Sequence, residues 1–116
     1  MNNYSTIDSP QISINSGKKS IFYKLNDICC IILKNDQIIC NMTNQKEIPL
    51  HHDFETLKQL LLQHNFVLIG HNIIMNRNEI KMIRDYEEGA KIFTKCNMVI
   101  HVNENYSKLK KDLQLL

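Results

Sequence analysis

Residues 66–76 read FVLIGHNIIMN, and the fold prediction starts from this stretch. Two short apolar runs, at positions 66–69 and 73–75, flank Gly70-His71-Asn72, a triplet rich in turn-forming residues. Short apolar runs bounded by turn residues are typical of strands. The centre of the chain is therefore predicted to be β, and the segments on both sides continue this pattern.

The segment before this centre contains five runs of β-type composition. They cover positions 12–14, 20–25, 28–33, 37–42 and 46–50. The residues between the runs, such as Ser16-Gly17-Lys18, have typical turn composition. This succession predicts an antiparallel meander.

An amphipathic helix is predicted between the two β regions. Asp53 is a suitable N-cap residue, and the predicted helix runs for about three turns to His64. The apolar residues that share one face of this helix are Phe54, Leu57, Leu60 and Leu61. That face is expected to cover a sheet.

Three further β-type runs follow the centre, at positions 79–86, 90–95 and 98–102. Glu87-Glu88-Gly89 and Cys96-Asn97 join them, which predicts two consecutive tight hairpins. Positions 103–113 have apolar residues at helical spacing and are predicted to form a short closing helix or turn. Positions 1–11 are polar and unpatterned, so we predict a flexible tail followed by one domain at positions 12–116.

Ten residues are predicted to form the buried framework, because they occupy the apolar positions of these patterns. They are Ile28, Ile31, Leu57, Leu60, Phe66, Ile74, Ile80, Ile83, Ile92 and Val99.

The composition is that of one folded domain. Apolar residues make up 43% and charged residues 22% of the 116 positions, which are ordinary globular values. The longest apolar stretch, at positions 28–33, is far shorter than the ~20 residues that cross a bilayer, and the N-terminus lacks a signal-peptide pattern. We therefore expect a cytoplasmic domain without membrane contact.

No pattern for catalysis, for a cofactor or for a metal is evident. The three glycines are too scattered for a phosphate-binding loop, and no nucleophile with a base is recognisable. The five histidines lack metal-ligand spacing. We expect no enzymatic activity, no cofactor and no metal. The cysteines lack CxxC spacing and are expected to be free thiols: Cys29, Cys30, Cys40 and Cys96.

The central stretch resembles the signature of the LytTR family of bacterial DNA-binding domains, which usually reads F-x-R-x-H-[RK]-S-x-[IL]-V-N-x-x-x-I. The residues that fit it are Phe66, Ile69, Ile74, Met75, Asn76 and Ile80. The predicted helix, the Leu25-x-Asp27-Ile28 segment and the tail from Met98 to Tyr106 resemble other segments of the family. Together these similarities cover positions 12–113.

The resemblance implies a mainly β fold of elongated antiparallel sheets, with one short amphipathic helix and a C-terminal helical turn. Loops, rather than a recognition helix, would enter successive major grooves of double-stranded DNA. Phosphate contacts would position the domain and a few side chains would read base edges. The implied function is transcriptional regulation of the response-regulator type. A second copy on paired half-sites and a sensor or receiver protein are the candidate partners.

The candidate DNA contacts follow from the resemblance and from the positions of the lysines. They are His71, Asn72, Lys95, Asn103, Asn105 and Lys108. The chain departs from the family at Leu68 and Gly70, where Arg and His are usual, and at Glu104, where a basic residue is usual. A glutamate facing phosphates repels them, and each missing basic contact lowers the affinity and its salt dependence. Asn76 is expected to hold a turn through its side chain rather than to contact DNA.

A protein-interaction module that kept the scaffold and lost DNA binding is the alternative. Exposed edge strands of a sheet can pair with another chain. A basic ridge that groups His71, Lys95 and Lys108 would favour DNA binding, whereas scattered lysines beside an exposed apolar strand would favour protein interaction. An enzyme is a distant third hypothesis, which a deep pocket with titratable groups would revive.

Overall fold

Ten β-strands and an eight-residue helix account for most of the described part of the chain. The computed structural model describes residues 11–16, 19–103 and 111. In chain order the elements are β1 (Gln11–Ser16), β2 (Lys19–Lys24), β3 (Ile28–Lys34), β4 (Gln37–Met42), β5 (Glu47–Leu50), α1 (Phe54–Leu61), β6 (Phe66–Ile69), β7 (Ile73–Asn76), β8 (Ile80–Tyr86), β9 (Gly89–Thr94) and β10 (Val99–Val102). The described helices include none that is both long and apolar enough to span a membrane.

The strands form three sheets, and all of their pairings are antiparallel. A two-stranded sheet pairs β1 with β2, a three-stranded sheet has the order β10-β9-β8, and a five-stranded sheet has the order β5-β4-β3-β7-β6. With principal extents of 51 × 34 × 24 Å, the molecule is elongated. The predicted mainly β fold with elongated antiparallel sheets and a short helix is confirmed.

The predicted meander is correct for β3, β4 and β5 only. The 3-10 turn Leu25–Asp27 separates β2 from β3, and β7 occupies the other edge of β3, where Ile31 pairs with Ile74. All four residues of β7 are buried. A strand that is apolar on both faces is suited to the middle of a covered sheet, which explains why the later hairpin inserts beside β3.

One face of the five-stranded sheet packs against α1. Because side chains alternate along a strand, Phe66 and Ile74 point to this face, where Ile28 and Ile31 of β3 also lie. Leu57 and Leu61 of α1 are fully buried against them. This cluster is the core on the helix side.

The opposite face of the same sheet packs against the three-stranded sheet. Val67, Ile69 and Met75 lie on this side, together with Ile92 and Ile100 from β9 and β10. The five-stranded sheet is thus the middle layer between α1 and the three-stranded sheet, which accounts for its nearly continuous apolar strands.

A β-bulge at the start of β3 adjusts which side chains reach the second core. The pairing with β4 shifts register between Ile28 and Cys30. A bulge inserts one extra residue and interrupts the strict alternation of side chains. Cys29 and Cys30 consequently both lie in the cluster that faces the three-stranded sheet, although they are adjacent in sequence.

Local sequence explains the tight turns. Lys34 pairs with Gln37, and the two residues between them, Asn35 and Asp36, have φ values of 52° and 63°. Positive φ at both central positions is the type I′ hairpin geometry, which Asn and Asp tolerate. At the β8–β9 turn Gly89 has a φ of 150°, in a region that L side chains rarely adopt.

The helix begins at the predicted cap. The Asp53 carboxylate accepts hydrogen bonds from the Thr56 backbone N–H (3.0 Å) and hydroxyl (2.9 Å), which satisfies one free donor of the first turn. The α-helix ends at Leu61, and a 3-10 turn, Leu62–His64, completes the segment that was predicted as three α-helical turns.

The predicted framework is largely correct, with two errors. Six of the ten residues are buried: Ile28, Ile31, Leu57, Phe66, Ile74 and Ile92. Ile80 and Ile83 are partly buried against the second core. Leu60 is wrong, because it is 36% exposed, whereas Leu61 of the same predicted face is fully buried. Val99 is also wrong at 43% exposure, because the alternation of β10 turns Ile100 and Val102 inward.

Two predicted terminal features lie largely outside the described residues. Of the predicted N-terminal tail at positions 1–11, only Gln11 is described, and it is the first residue of β1 rather than part of a tail. Of the predicted closing helix at positions 103–113, only Asn103 and Lys111 are described, and Lys111 has helical geometry.

Candidate nucleic-acid interface

The β6–β7 loop and the β3–β4 turn lie side by side at one end of the five-stranded sheet. The Leu33 N–H donates to the Asn72 carbonyl (2.8 Å), and the Asn72 side-chain Nδ2 donates to the Leu33 carbonyl (3.2 Å). Because Leu33 immediately precedes the turn, this pair of hydrogen bonds fastens the two loops together. We call residues 34–37 and 70–72 the loop pair.

The loop pair offers mostly exposed polar side chains. Residues 34–37 and His71 are all exposed, whereas Asn72 is half-buried. Lys34 can contact a phosphate, and the amides of Asn35 and Gln37 can both donate and accept hydrogen bonds. Among the predicted contacts, His71 and Asn72 are therefore close neighbours on this surface. Residues 34–37 were missed because only the pairing of β3 with β7, 40 or so positions apart, makes the two loops adjacent.

Asn76 supports the far end of β7 and is almost fully buried. Its Oδ1 accepts from the Asn78 N–H (3.0 Å), and its Nδ2 donates to the Ile28 carbonyl (2.9 Å). It thereby caps the 3-10 turn Arg77–Glu79 and joins that turn to β3. The prediction that Asn76 holds a turn is confirmed.

Lys95 lies far from the loop pair. Its backbone N–H donates to the Glu79 carbonyl (2.9 Å), just after the end of β7, and the next residue, Cys96, accepts from the Gln45 side chain (3.0 Å). Gln45 belongs to the β4–β5 turn, at the opposite end of β4 from the loop pair. Six residues of strand separate these ends, which is about 20 Å. The structure therefore does not group Lys95 with His71.

Asn103 lies at the other end of the three-stranded sheet from Lys95. It follows Val102, which pairs with Ala90 near the start of β9, whereas Lys95 follows the end of β9. Asn103 borders an open groove of about 450 Å³, with Tyr86 and His101 among its other walls. Asn105 and Lys108 lie outside the described residues, so the predicted basic ridge that includes Lys108 is not among the features that the structure describes.

A further cation lies on the three-stranded sheet. The Lys91 ammonium is 4.8 Å from the centroid of the Tyr86 ring, which is a cation–π contact. Lys91 and Arg84 pair across β8 and β9, so positive charge is also present on this sheet. The basic side chains of the described residues are thus distributed over several surfaces rather than concentrated in one ridge.

The fold is that of a known DNA-binding domain class. Among solved structures, the chain is similar to the LytTr DNA-binding domain of a Bacillus cereus protein that is named a methyl-accepting/DNA response regulator. The TM-score is 0.72 at 15% sequence identity, and the match covers 91% of this chain and 97% of the other. At this identity the similarity establishes the fold.

The sequence itself identifies the family. The profile of the LytTr DNA-binding domain matches residues 18–114, and the chain therefore belongs to this family. A comparison with curated proteins found no match. The family is a class of DNA-binding domains.

Proposed function

We propose that the chain binds specific DNA sequences by inserting loops into the major groove, and that it regulates transcription in this way. The observation that carries the proposal is the loop pair, in which two loops of polar side chains are hydrogen-bonded to each other at one end of a rigid sheet. Binding residues are commonly presented on loops that a rigid scaffold positions. Membership of the LytTr family supports the same function.

Within the loop pair, side-chain chemistry suggests separate roles. His71, Asn35 and Gln37 carry the donors and acceptors that read base edges, and Lys34 supplies a phosphate contact. Asp36 restricts how the loop pair can approach DNA, because its carboxylate repels phosphates. The carboxylate is accommodated only where it can accept a hydrogen bond, for example from the amino group of a cytosine. A loop pair with both signs of charge favours selectivity over high affinity.

Asn72 contributes by positioning the loop. Its side-chain amide is already engaged with the Leu33 carbonyl and is half-buried. Replacing it would remove one of the two hydrogen bonds between the β6–β7 loop and the β3–β4 turn, and only the backbone bond from Leu33 N–H to the Asn72 carbonyl would remain. We therefore assign to Asn72 the role of orienting His71.

Among the remaining candidate contacts, Lys95 is proposed as a second point of attachment. Lys95 lies at the end opposite the loop pair, and Asn103 lies at the other end of the three-stranded sheet from Lys95. Asn105 and Lys108 are proposed as contacts from the sequence resemblance. The longest dimension of the molecule is 51 Å, which exceeds the ~34 Å between successive turns of a groove. A domain of this length can therefore reach two grooves on one face of the duplex.

Fluorescence anisotropy with a pool of fragments from the protein's own genome, at two salt concentrations, tests the proposal. We expect selective binding that weakens with salt, with selectivity lost in His71→Ala. The matched control is His64→Ala, because His64 is also exposed but precedes β6 at its opposite end. If the two histidine variants behave alike, the assignment of the loop pair is wrong.

The lysines provide a second comparison in the same assay. Lys34→Ala should reduce the slope of log affinity against log salt by about 1, since each neutralised phosphate contributes roughly 0.9. Lys46→Ala is the control, because Lys46 is exposed in the β4–β5 turn at the other end of β4. An absence of DNA binding even at low salt would contradict the proposed function as a whole.

The regulatory partners are part of the proposal. We expect two copies on paired half-sites, and control by a sensor or receiver protein. Sedimentation of the domain with one and with two half-sites tests the first expectation. Independent binding to the two half-sites, without cooperativity at any spacing, would exclude a functional dimer.

A protein-interaction module is the second candidate, and one observation favours it. Three apolar side chains on the outer strands of the three-stranded sheet are exposed: Met82 (44%) and Tyr86 (42%) of β8, and Val99 (43%) of β10. Exposed apolar residues on edge strands are suited to pairing with another chain. Loss of a partner's binding in Met82→Lys, with DNA binding unchanged, would assign this surface to protein recognition.

A further inference from the structure

Three potential metal ligands from separate segments converge between the two larger sheets. They are the Cys29 thiol of β3, the Cys96 thiol of the β9–β10 turn and the Glu79 carboxylate of the 3-10 turn Arg77–Glu79. Their ligand atoms all lie within 4.8 Å of one another. Cys29 and Cys96 are 67 positions apart in sequence, so the tertiary fold creates this cluster.

Two further sulfur atoms belong to the same core. The bulge in β3 places Cys30 on the same side as Cys29, and the Cys30 Sγ is 4.0 Å from the Met98 Sδ. Cys29 is completely buried, and Cys96 is only 9% exposed. Glu79 is partly exposed, so it lies on the side from which an ion could enter.

The distance between the two thiols matches a shared metal ion better than a disulfide. The Sγ atoms of Cys29 and Cys96 are 3.4 Å apart. Two thiolates on a tetrahedral zinc, each with a bond of about 2.3 Å, have their sulfur atoms about 3.8 Å apart. A disulfide requires about 2.05 Å. Metal binding therefore needs an opening of about 0.4 Å, whereas a disulfide needs a closure of about 1.4 Å between two packed sheets.

The Thr94 side chain lies beside Cys96 and is held in place by Met98. The Thr94 hydroxyl is 3.3 Å from the Cys96 Sγ. Burial raises the pKa of the Cys96 thiol, and Thr94 and the Met98 backbone offset this only in part, so a metal ion must displace a proton there. Thr94 is itself fixed, because its Oγ1 donates to the Met98 carbonyl (3.0 Å) and accepts from the Met98 N–H (2.9 Å). Because this hydroxyl proton is engaged, Thr94 fixes the β9–β10 turn that carries Cys96 rather than donating to the Cys96 sulfur.

We propose that Cys29, Cys96 and Glu79 bind one divalent ion of the zinc type, with water in the fourth position. Thiolate sulfur with one carboxylate oxygen is a donor set that zinc accepts and that magnesium and calcium do not. Binding forms two metal–sulfur bonds and one metal–oxygen bond and releases the two thiol protons to solvent. The ion joins β3 to the β9–β10 turn, so it fastens the five-stranded sheet to the three-stranded sheet.

Cobalt(II) titration of the reduced protein, in the absence of oxygen, tests the site directly. We expect one Co²⁺ per chain, with thiolate-to-metal charge-transfer absorption and visible bands of tetrahedral coordination, and displacement by Zn²⁺. Cys96→Ala should abolish the charge-transfer band or lower the affinity at least 100-fold, and Glu79→Gln should lower the affinity about 10-fold to 100-fold. Cys40→Ala is the control, because Cys40 is a buried thiol of the other core.

Thermal unfolding gives a second measurement that does not depend on spectroscopy. Zinc at about 100 times its dissociation constant should raise the midpoint by roughly 10 °C in wild type and not in Cys96→Ala. Circular dichroism establishes that this variant folds, and Glu79→Gln serves if it does not. The site is refuted if Co²⁺ binds without charge-transfer absorption, or if Cys96→Ala and Glu79→Gln bind it as tightly as wild type.

Discussion

Replacing Asn76 should strongly destabilise the fold without altering any residue of the loop pair. Asn76 is 3% exposed, and its side chain connects the Ile28 carbonyl to the Asn78 N–H. In Asn76→Ala the carbonyl of the fully buried Ile28 loses this donor, which costs about 1–3 kcal/mol. Loss of the cap on the Asn78 N–H adds about 1 kcal/mol. We expect the free energy of unfolding to fall by about 2–4 kcal/mol in total.

Urea unfolding measures this change. With a slope of about 2 kcal/mol per molar urea, the midpoint should fall by about 1–2 M, and the slope itself should not change. Asn78→Ala is the control, because it retains the N–H that Asn76 caps and removes only an exposed contact with Asn65. A loss below about 0.5 kcal/mol in Asn76→Ala would refute the argument.

Asn76→Asp separates the two roles of the side chain. The carboxylate can still accept from the Asn78 N–H, but it cannot donate to the Ile28 carbonyl and places a charge beside it. At neutral pH we therefore expect a greater loss than in Asn76→Ala. Burial should raise the pKa of this carboxyl, so stability relative to wild type should be highest at acid pH and should fall as the pH rises through that pKa. A pH-independent difference from wild type would contradict this reasoning.

Three other changes follow from burial, backbone geometry and ionisation. Leu57→Ala should lower the free energy of unfolding by about 2–5 kcal/mol in calorimetric or urea unfolding, because Leu57 is fully buried. Leu60→Ala, at a position 36% exposed, should lower it by under about 1 kcal/mol. Equal losses would mean that the buried face of the helix is misassigned. Gly89→Ala should lower stability by about 3 kcal/mol, because φ is 150° and the added methyl meets the Val102 carbonyl oxygen; a wild-type midpoint would disprove the contact. Burial raises the pKa of the Cys40 thiol to about 12, so the folded chain retains a proton that the unfolded chain loses above about pH 9. The free energy of unfolding should therefore fall as the pH rises from 9 to 12, by up to about 1.4 kcal/mol per pH unit. The stability of Cys40→Ala should decline less steeply at alkaline pH than that of wild type. Identical pH profiles of the two proteins would rule out this role of the Cys40 thiol.

Much of the architecture was predictable because it depends on neighbouring residues. The cap at Asp53 is read from the residue type and the helical spacing that follows, and the turn at Asn35-Asp36 from residues that tolerate positive φ. The strand positions agree with the structure within one or two residues for the same reason. The errors at Leu60 and Val99 are errors of phase, since periodicity shows that an element has an apolar face but not which neighbouring residue finally points inward.

The candidate site was only half predictable. His71 and Asn72 follow from a local resemblance to the family signature, whereas residues 34–37 join them only because β7 pairs with β3. Lys95 was selected as a basic residue on a strand, and the structure places it about 20 Å from the loop pair, at the opposite end of the sheet. A one-dimensional pattern gives the chemistry of a side chain but not its distance from residues that are remote in sequence.

The sequence by itself therefore determined the class of fold, the local elements and the family, because turn chemistry, capping and hydrophobic period act over a few residues. Tertiary structure decided the order of the strands, the composition of the loop pair and the convergence of Cys29 with Cys96. The physical reason is that strand pairing and sheet packing join segments 40 to 70 positions apart. The geometry of these contacts depends on side-chain packing against both covered faces of the five-stranded sheet at once. Such packing is a property of the whole core rather than of any one segment.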